Sequence, residues 1–213
     1  MKRLILGILL LLLYATTSAV VLPAYAAEKS QVVPQDAKAY YNRGTGYYGK
    51  GDYEAAVKDL SMTITLEPKA PDAYFNRGLS YRRQHRIDEA ISDFTKAIQL
   101  YSNQPGYYFE RCNALIMKND FDGAVADCSE VIRLSPDEAG GYFLRGLAHM
   151  LKGDLDKALA DSVQALQIQP GDSNARRLLY ETLIKRETLT GARNPSTNRS
   201  ENLPGGVFSA EKT

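Results

Sequence analysis

Apolar and small residues recur between positions 37 and 172 at offsets of three, four and seven, in runs separated by short polar breaks. Side chains at these offsets lie on one side of an α-helix, so each run predicts an amphipathic helix. The runs come in pairs, and the pair returns four times with a period of 34 residues. Because a unit of this length cannot bury its own apolar face, the pattern predicts helical hairpins that stack on one another.

The same residue types return at equivalent positions of the four units. The first half of each unit carries a Tyr, an Arg and a small residue, and the second half carries an Ala and an Asp. In unit order these are Tyr40, Tyr74, Tyr108 and Tyr142; Arg43, Arg77, Arg111 and Arg145; Gly44, Gly78, Cys112 and Gly146; Ala56, Ala90, Ala124 and Ala158; and Asp59, Asp93, Asp127 and Asp161. This regular register predicts one elongated core.

A turn signal divides each unit into its two halves. Gly51, Asn119 and Gly153 tolerate the left-handed conformation that ends a helix, and an Asp follows each of them. The second unit has His85 and Arg86 at these places. Its turn is therefore expected to be less well capped than the other three.

The repeated residues resemble the tetratricopeptide repeat family over residues 37–172. The family pattern of large, small and aromatic residues is matched by Tyr74, Gly78, Tyr81, Ala90, Phe94 and Ala97, and the first unit adds Gly51 and Pro68. The resemblance implies an all-α fold, a right-handed solenoid of four helical hairpins closed by a capping helix. It places the repeats at 37–70, 71–104, 105–138 and 139–172, and the capping helix at 173–187.

The segments outside the repeats predict the compartment. Lys2 and Arg3 precede an apolar run, and an Ala-x-Ala site ends at Ala26, which is the order of a signal peptide over residues 1–26. A linker over 27–36 and a disordered tail over 188–213 complete the chain. We expect an exported protein, periplasmic or secreted. The alternative is an uncleaved membrane anchor, because residues 4–22 reach the length of a bilayer.

Charge and motif content narrow the classes of function. The net charge is +1, and it becomes −1 once Lys2 and Arg3 are removed, so nucleic acid is not an expected partner. The chain has no Gly-rich phosphate loop, no metal-spaced Cys/His cluster and no nucleophile elbow. Of the two histidines, His85 lies at a turn and His149 in a core position. We therefore expect no catalytic residue, no metal site and no cofactor.

The two cysteines fall in columns that face each other where the paired helices of the family come closest. By the resemblance, Cys112 on the first helix of the third unit meets Cys128 on the second. In an oxidising compartment such a pair is expected to form a disulfide. The alternative is a pair of buried free thiols that fill a small volume.

The arginine and aspartate columns are also 16 residues apart. Each Arg pairs either with the Asp of its own hairpin or with an Asp of the adjacent unit, and in both cases the pair is structural. The functional alternative is a ladder of arginines that binds acidic ligands, but a matching acid accompanies every Arg.

The first helices carry the predicted binding site. By the resemblance, the residues one position along from the core stripe line a concave groove, where an extended segment or helix of a protein partner binds through apolar anchors. The predicted contacts are Tyr41, Thr45, Tyr48, Phe75, Asn76, Leu79, Arg82, Phe109, Asn113, Ile116, Phe143 and Leu147. Some of the aromatic residues are expected only to pack one first helix against the next.

Family members that hold the terminal carboxylate of chaperone tails use Lys, Asn and Arg at defined positions. Those positions carry Tyr41, Thr45, Asn76, Gly106 and Glu110 in this chain, so only Asn76 matches. We therefore do not expect this mode of binding.

Self-association is a further alternative, because repeat arrays can bury an open end against a second copy. Ser162 stands where a large residue is expected against Gly146, which leaves room for another element. This alternative predicts a homodimer, held at the membrane if the N-terminal segment remains as an anchor.

Overall fold

The computed structural model describes residues 36–193. The predicted signal peptide, all but the last residue of the linker and the tail from residue 194 onward lie outside the described residues.

Between residues 36 and 193 the chain folds into nine α-helices and no strand. They are α1 (Ala37–Lys50), α2 (Tyr53–Leu66), α3 (Pro71–Arg83), α4 (Ile87–Leu100), α5 (Pro105–Met117), α6 (Phe121–Leu134), α7 (Ala139–Lys152), α8 (Leu155–Ile168) and α9 (Ser173–Arg193). The predicted all-α architecture of helical hairpins followed by a closing helix is confirmed.

The first compact unit contains the hairpin of α1 and α2. Gly44 of α1 is buried, and a Cβ at this residue would lie 2.9 Å from Cγ of Leu60 in α2. The small residue therefore lets the two helices approach closely. Asp36 and Asp52 cap the two helices, because their carboxylates accept hydrogen bonds from the amides of Ala39 and Ala55.

The second compact unit contains three hairpins and α9. The second helix of each hairpin packs on the first helix of the next, so α4 contacts α5, α6 contacts α7, and α8 contacts α9. Gly78 repeats the close approach seen in the first unit, since its added Cβ would lie 2.7 Å from the ring of Phe94. Phe94 is fully buried and clusters with Ala90 and with Ala114 of the following hairpin.

The turn of the second unit lacks a side-chain cap, as the sequence predicts, but so does that of the fourth, because Asp154 makes no such bond to the start of α8. His85 and Asn119 adopt φ values of 59° and 63°, whereas the corresponding residues elsewhere are Gly51 and Gly153. Arg86 makes no side-chain bond to the start of α4, and Asp120 accepts one from Gly123 at the start of α6. The second turn therefore combines an unfavourable left-handed residue with a missing cap.

Helix α9 differs from the prediction in its length. It continues to Arg193, so the capping helix does not end at residue 187, and the predicted disordered tail is helical over residues 188–193. Two contacts hold the later turns against the preceding hairpin: Lys185 donates to the carbonyl of Met150, and Arg186 pairs with Asp156. These contacts stabilise a helical segment whose own residues are mostly polar.

The space predicted beside Ser162 is filled within the chain. Ser162 is fully buried, and its hydroxyl donates to the carbonyl of Ala158 at 2.7 Å. Leu178 of α9 enters the space, because its Cδ2 lies 3.3 Å from the place of a Cβ on Gly146. The capping helix is therefore the element that occupies the space beside Ser162. This space cannot also take a residue of a second copy.

Candidate functional site

Helices α3, α5 and α7 lie in succession in the second unit, because α3 contacts α5 and α5 contacts α7. We call the surface along these three helices the first-helix face. It carries nine of the predicted contacts, all of them partly buried: Phe75, Asn76, Leu79, Arg82, Phe109, Asn113, Ile116, Phe143 and Leu147. Partial burial means that each side chain both packs within the fold and retains exposed surface.

The phenylalanines of this face hold successive hairpins together. The ring of Phe75 lies 4.9 Å from that of Tyr107 in α5 and 5.8 Å from that of Phe94 in α4. Phe109 reaches α7, where a Cβ on Gly140 would lie 3.0 Å from its ring. The packing role that the sequence allows for some of the aromatic residues is therefore observed at these two positions.

Leu79 and Ile116 pack at the border of two core clusters. Leu79 lies against the cluster around Phe94, and Ile116 lies against the cluster around Cys112. Asn76 donates its side-chain amide to the carbonyl of Asp72 at 2.8 Å. These residues are held in place by the fold, which favours a preorganised surface.

A cavity of about 300 Å³ opens where α5 and α7 begin, beside Phe109. Three glycines stand at its wall, so backbone replaces side chains there. The lining residues are Pro105, Gly106, Phe109, Val131, Ser135, Glu138, Gly140 and Gly141. A Cβ on Gly106 would meet no atom within 4 Å. The cavity is thus open to solvent at Gly106. It could not be predicted from the sequence, because the glycines that form its wall carry no side chains whose pattern would mark it.

A charged pair joins α3 and α5 on the first-helix face. Nη2 of Arg82 lies 2.9 Å from Oε2 of Glu110, and the two side chains are 18% and 19% exposed. Among the described residues, Nε of Arg82 and Oε2 of Glu110 have no hydrogen-bond partner, so the pair has the distance of an ion pair without the geometry of a hydrogen bond.

Burial of Glu110 raises the pKa of its carboxyl, although the charges of Arg82 and Arg83 oppose the change. The effect of desolvation on the pKa of Glu110 is therefore larger than that of the two arginine charges. The first-helix face thus contains an acid that is held in an unfavourable environment and retains hydrogen-bonding capacity.

The remaining predicted contacts belong to the first unit. Tyr41, Thr45 and Tyr48 are partly buried residues of α1. The Thr45 hydroxyl donates to the carbonyl of Asn42 at 3.0 Å, and the ring of Tyr48 lies 5.6 Å from that of Tyr53 in α2. These two contacts, from Thr45 to Asn42 and from Tyr48 to Tyr53, lie within this hairpin.

The arginine column serves the fold. Each Arg pairs with the Asp of its own hairpin, as in the two bonds of 2.7 Å from Arg111 to Asp127. Arg111 also donates to the hydroxyl of Thr95 in the preceding hairpin, and Arg145 donates to that of Ser129 in the same way. The bond to Asp127 raises the pKa of Arg111, against the effect of burial. Arginines engaged in this way are not available as a ladder for acidic ligands.

The two cysteines are brought together across α5 and α6. The structure joins Cys112 and Cys128 by a disulfide, with Sγ atoms 2.14 Å apart and Cα atoms 5.7 Å apart. Both residues are fully buried in a cluster with Ala124, Leu144 and Ala148. The pair therefore links the two helices of the third hairpin inside the core.

Two kinds of site are absent from the part of the chain that the structure describes. It contains no group of three or more His, Cys, Asp or Glu residues that could hold a metal ion. None of the helices within residues 36–193 has the length and apolar character needed to cross a membrane.

His149, the histidine predicted in a core position, is buried. Its desolvation lowers the pKa of the imidazole, and its Nδ1 lies 3.5 Å from a carboxylate oxygen of Asp154.

Comparison with known families gives matches along most of the described residues. Models of the tetratricopeptide repeat match residues 46–85, 71–104 and 111–173. No curated protein sequence matches the chain.

Solved structures of several repeat proteins are similar to this one. MamA from Desulfovibrio magneticus RS-1, from residue 41 to its end, is 20% identical with a TM-score of 0.69, over 80% of this chain and 99% of that one. The first TPR domain of Spaghetti (RPAP3), bound to the HSP90 peptide SRMEEVD, is 24% identical with a TM-score of 0.53, over 55% and 92%. The second TPR domain of human RPAP3, in complex with the HSP70 peptide SGPTIEEVD, is 22% identical with a TM-score of 0.51, over 53% and 98%. The TM-scores show that these proteins share the fold of this chain.

Proposed function

The chain belongs to the tetratricopeptide repeat family, and on that premise we propose that it is a non-enzymatic interaction scaffold that binds a segment of a partner protein along the first-helix face. The observation that carries the proposal is the cavity beside Phe109, which adjoins a row of partly buried side chains on α3, α5 and α7. Binding sites for peptides combine apolar pockets with a few fixed polar groups, and this face has both.

The charges and the cavity of the first-helix face indicate which peptide segments of a partner it binds. The RPAP3 domains are seen with peptides that end in Glu-Glu-Val-Asp. In this chain burial raises the pKa of Glu110 on the first-helix face, and an anionic segment beside this carboxyl would raise the pKa further, so its negative charge is not favoured there. A segment with a bulky apolar side chain for the cavity and a neutral or basic group near Glu110 fits better.

We place this scaffold outside the cytosol, periplasmic or secreted. The signal-like order of residues 1–26 supports this setting, and so does the pairing of Cys112 with Cys128, because structural disulfides persist in oxidising compartments. Retention of the N-terminal segment as a membrane anchor would keep the same domain on the same side of the membrane.

The binding face is tested by blocking the cavity without disturbing the core. Gly106→Trp suits this purpose, because an added Cβ at Gly106 meets no atom within 4 Å. Gly171→Trp is the matched control, since its Cβ also meets nothing and it lies in the turn before α9. Proteins captured by proximity labelling in the native compartment are compared among the wild type and both variants.

We expect Gly106→Trp to lose partners that the wild type and Gly171→Trp retain, while its circular dichroism and thermal unfolding stay close to those of the wild type. Capture of the same set by all three proteins would show that the first-helix face is not the binding site.

A further inference from the structure

The outer side of α9 carries a regular stripe of exposed residues. Its members are spaced alternately by four and three positions: Ser173, Arg177, Tyr180, Ile184, Glu187 and Gly191. At 100° per residue they fall within an arc of about 80°, on one side of the helix. Tyr180 and Ile184, at the centre of the stripe, are 60% and 62% exposed. Alternating spacings of three and four are those of a helix that packs along another helix.

The stripe is exposed because the described residues, which end at Arg193, include no helix after α9. Tyr180 follows Gly146 by 34 residues and so occupies the column of small residues. In the fourth hairpin that column is covered by α8, since a Cβ on Gly146 would lie 3.2 Å from Cβ of Asp161. Between Ser173 and Arg193 the chain supplies no such cover for α9. Terminal helices of repeat arrays are usually polar on the outside, whereas this one presents a Tyr and an Ile.

We propose that α9 of a second copy of this chain covers the stripe, in an antiparallel pair centred at the level of residue 182. In this register Tyr180 of each copy lies opposite Ile184 of the other. Arg177 lies opposite Glu187 of the second copy, and the two-fold symmetry forms this contact twice. The small residues Ser173 and Gly191 meet at the two ends, where they allow close approach.

The charges of the stripe decide the direction of the pair. A parallel arrangement would set Arg177 against Arg177 and Glu187 against Glu187, whereas the antiparallel one sets opposite charges together at both places. Antiparallel helices also align their dipoles favourably. Arg177 has one other charged neighbour among the described residues, Glu181, at 3.8 Å, and both side chains are more than half exposed. Such an exposed pair competes weakly with a contact at an interface.

This interface is independent of the first-helix face, because the stripe belongs to α9 alone. The proposed partner segment and the second copy would therefore occupy different surfaces.

A charge exchange tests the pairing directly. The full chain is expressed with its own N-terminal segment, and the mass of the purified protein is measured by sedimentation equilibrium over a wide range of concentration. We expect a mass twice that of the chain. Arg177→Glu alone and Glu187→Arg alone each place like charges opposite one another at two sites, so each weakens the dimer about tenfold or more. The double variant Arg177→Glu/Glu187→Arg restores the wild-type dissociation constant.

Tyr180→Asp is expected to give a monomer with unchanged circular dichroism, since its side chain is 60% exposed in the single chain. Tyr101→Asp is the control, because Tyr101 is 53% exposed at the end of α4 and lies outside the stripe. A monomeric wild type at every concentration overturns the proposal. So does a dimer that the single charge changes leave intact, or one that the double variant fails to restore, because Arg177 and Glu187 would then not pair across the interface.

Discussion

The link between Cys112 and Cys128 makes a quantitative prediction about stability. The two residues are 16 positions apart, so the disulfide closes a short loop between α5 and α6. Loop-closure entropy for a ring of this size corresponds to about 3 kcal/mol of stabilisation, because the bond restricts the unfolded chain. Reduction of the bond removes no heavy atom from the core, so the comparison of oxidised with reduced protein measures the contribution of the bond without creating a cavity.

The measurement is urea unfolding followed by circular dichroism, with and without reductant. We expect reduction to lower the free energy of unfolding by about 3 kcal/mol, which moves the midpoint by about 1 to 2 M urea. Hydrogen exchange should rise most in α5 and α6, where the constraint is lost. The double variant Cys112→Ala/Cys128→Ala serves as the control, because reductant cannot change its stability.

Two results would refute this reasoning. Equal unfolding of the wild type in oxidising and reducing buffers would show that the bond contributes nothing. Two alkylatable thiols in protein taken from its native compartment would show that the bond does not form there, and the alternative of buried free thiols would then hold.

Three further changes test other parts of the structure. Asp127→Asn leaves the partly buried guanidinium of Arg111 without its counter-charge, so we expect a loss of about 3 kcal/mol in the free energy of unfolding. Gly78→Ala forces a Cβ to within 2.7 Å of the Phe94 ring and should cost about 1 to 3 kcal/mol in the same assay. Because burial raises the pKa of Glu110, the stability of the wild type relative to Glu110→Gln should be greatest at acidic pH and fall as the pH rises through that raised pKa.

The first two of these changes have a control within the chain. Arg133→Ala removes an exposed pair with Glu130 and should leave stability unchanged, unlike Asp127→Asn. Gly46→Ala adds a Cβ that meets no atom within 4 Å in the middle of α1, so it should stabilise the protein by about 0.5 to 1 kcal/mol. A stability difference between the wild type and Glu110→Gln that does not change with pH would show that folding does not raise the pKa of Glu110.

The fold was predictable from the sequence because one period governs the whole repeat region. The resemblance to the family places columns such as those of Gly78 and Phe94 opposite each other, and in the first two hairpins a small residue does face a large one. The sequence did not decide which Asp pairs with each Arg, because both columns recur in every unit and the Asp of the same or of the adjacent hairpin could serve. The structure gives the Asp of the same hairpin, and it adds the hydroxyls of Thr95 and Ser129 as bridges to the next Arg along the array.

The candidate site was predictable only where its residues belong to one helix. Leu79 and Arg82 share a face of α3 by their spacing, but the cavity beside Phe109 depends on glycines of α5 and α7 that meet only when the hairpins stack. The length of α9 shows the same limit, because residues 188–193 have weak apolar periodicity and the preceding turns are held by contacts with Met150 and Asp156. Local pattern therefore decides which elements form, whereas contacts between elements decide how far they extend and where they leave a space. The proposed binding face belongs to this second class, so we expect its specificity to depend on positions at which one unit differs from the others, such as Glu110, where the other units have Asn42, Asn76 and Leu144.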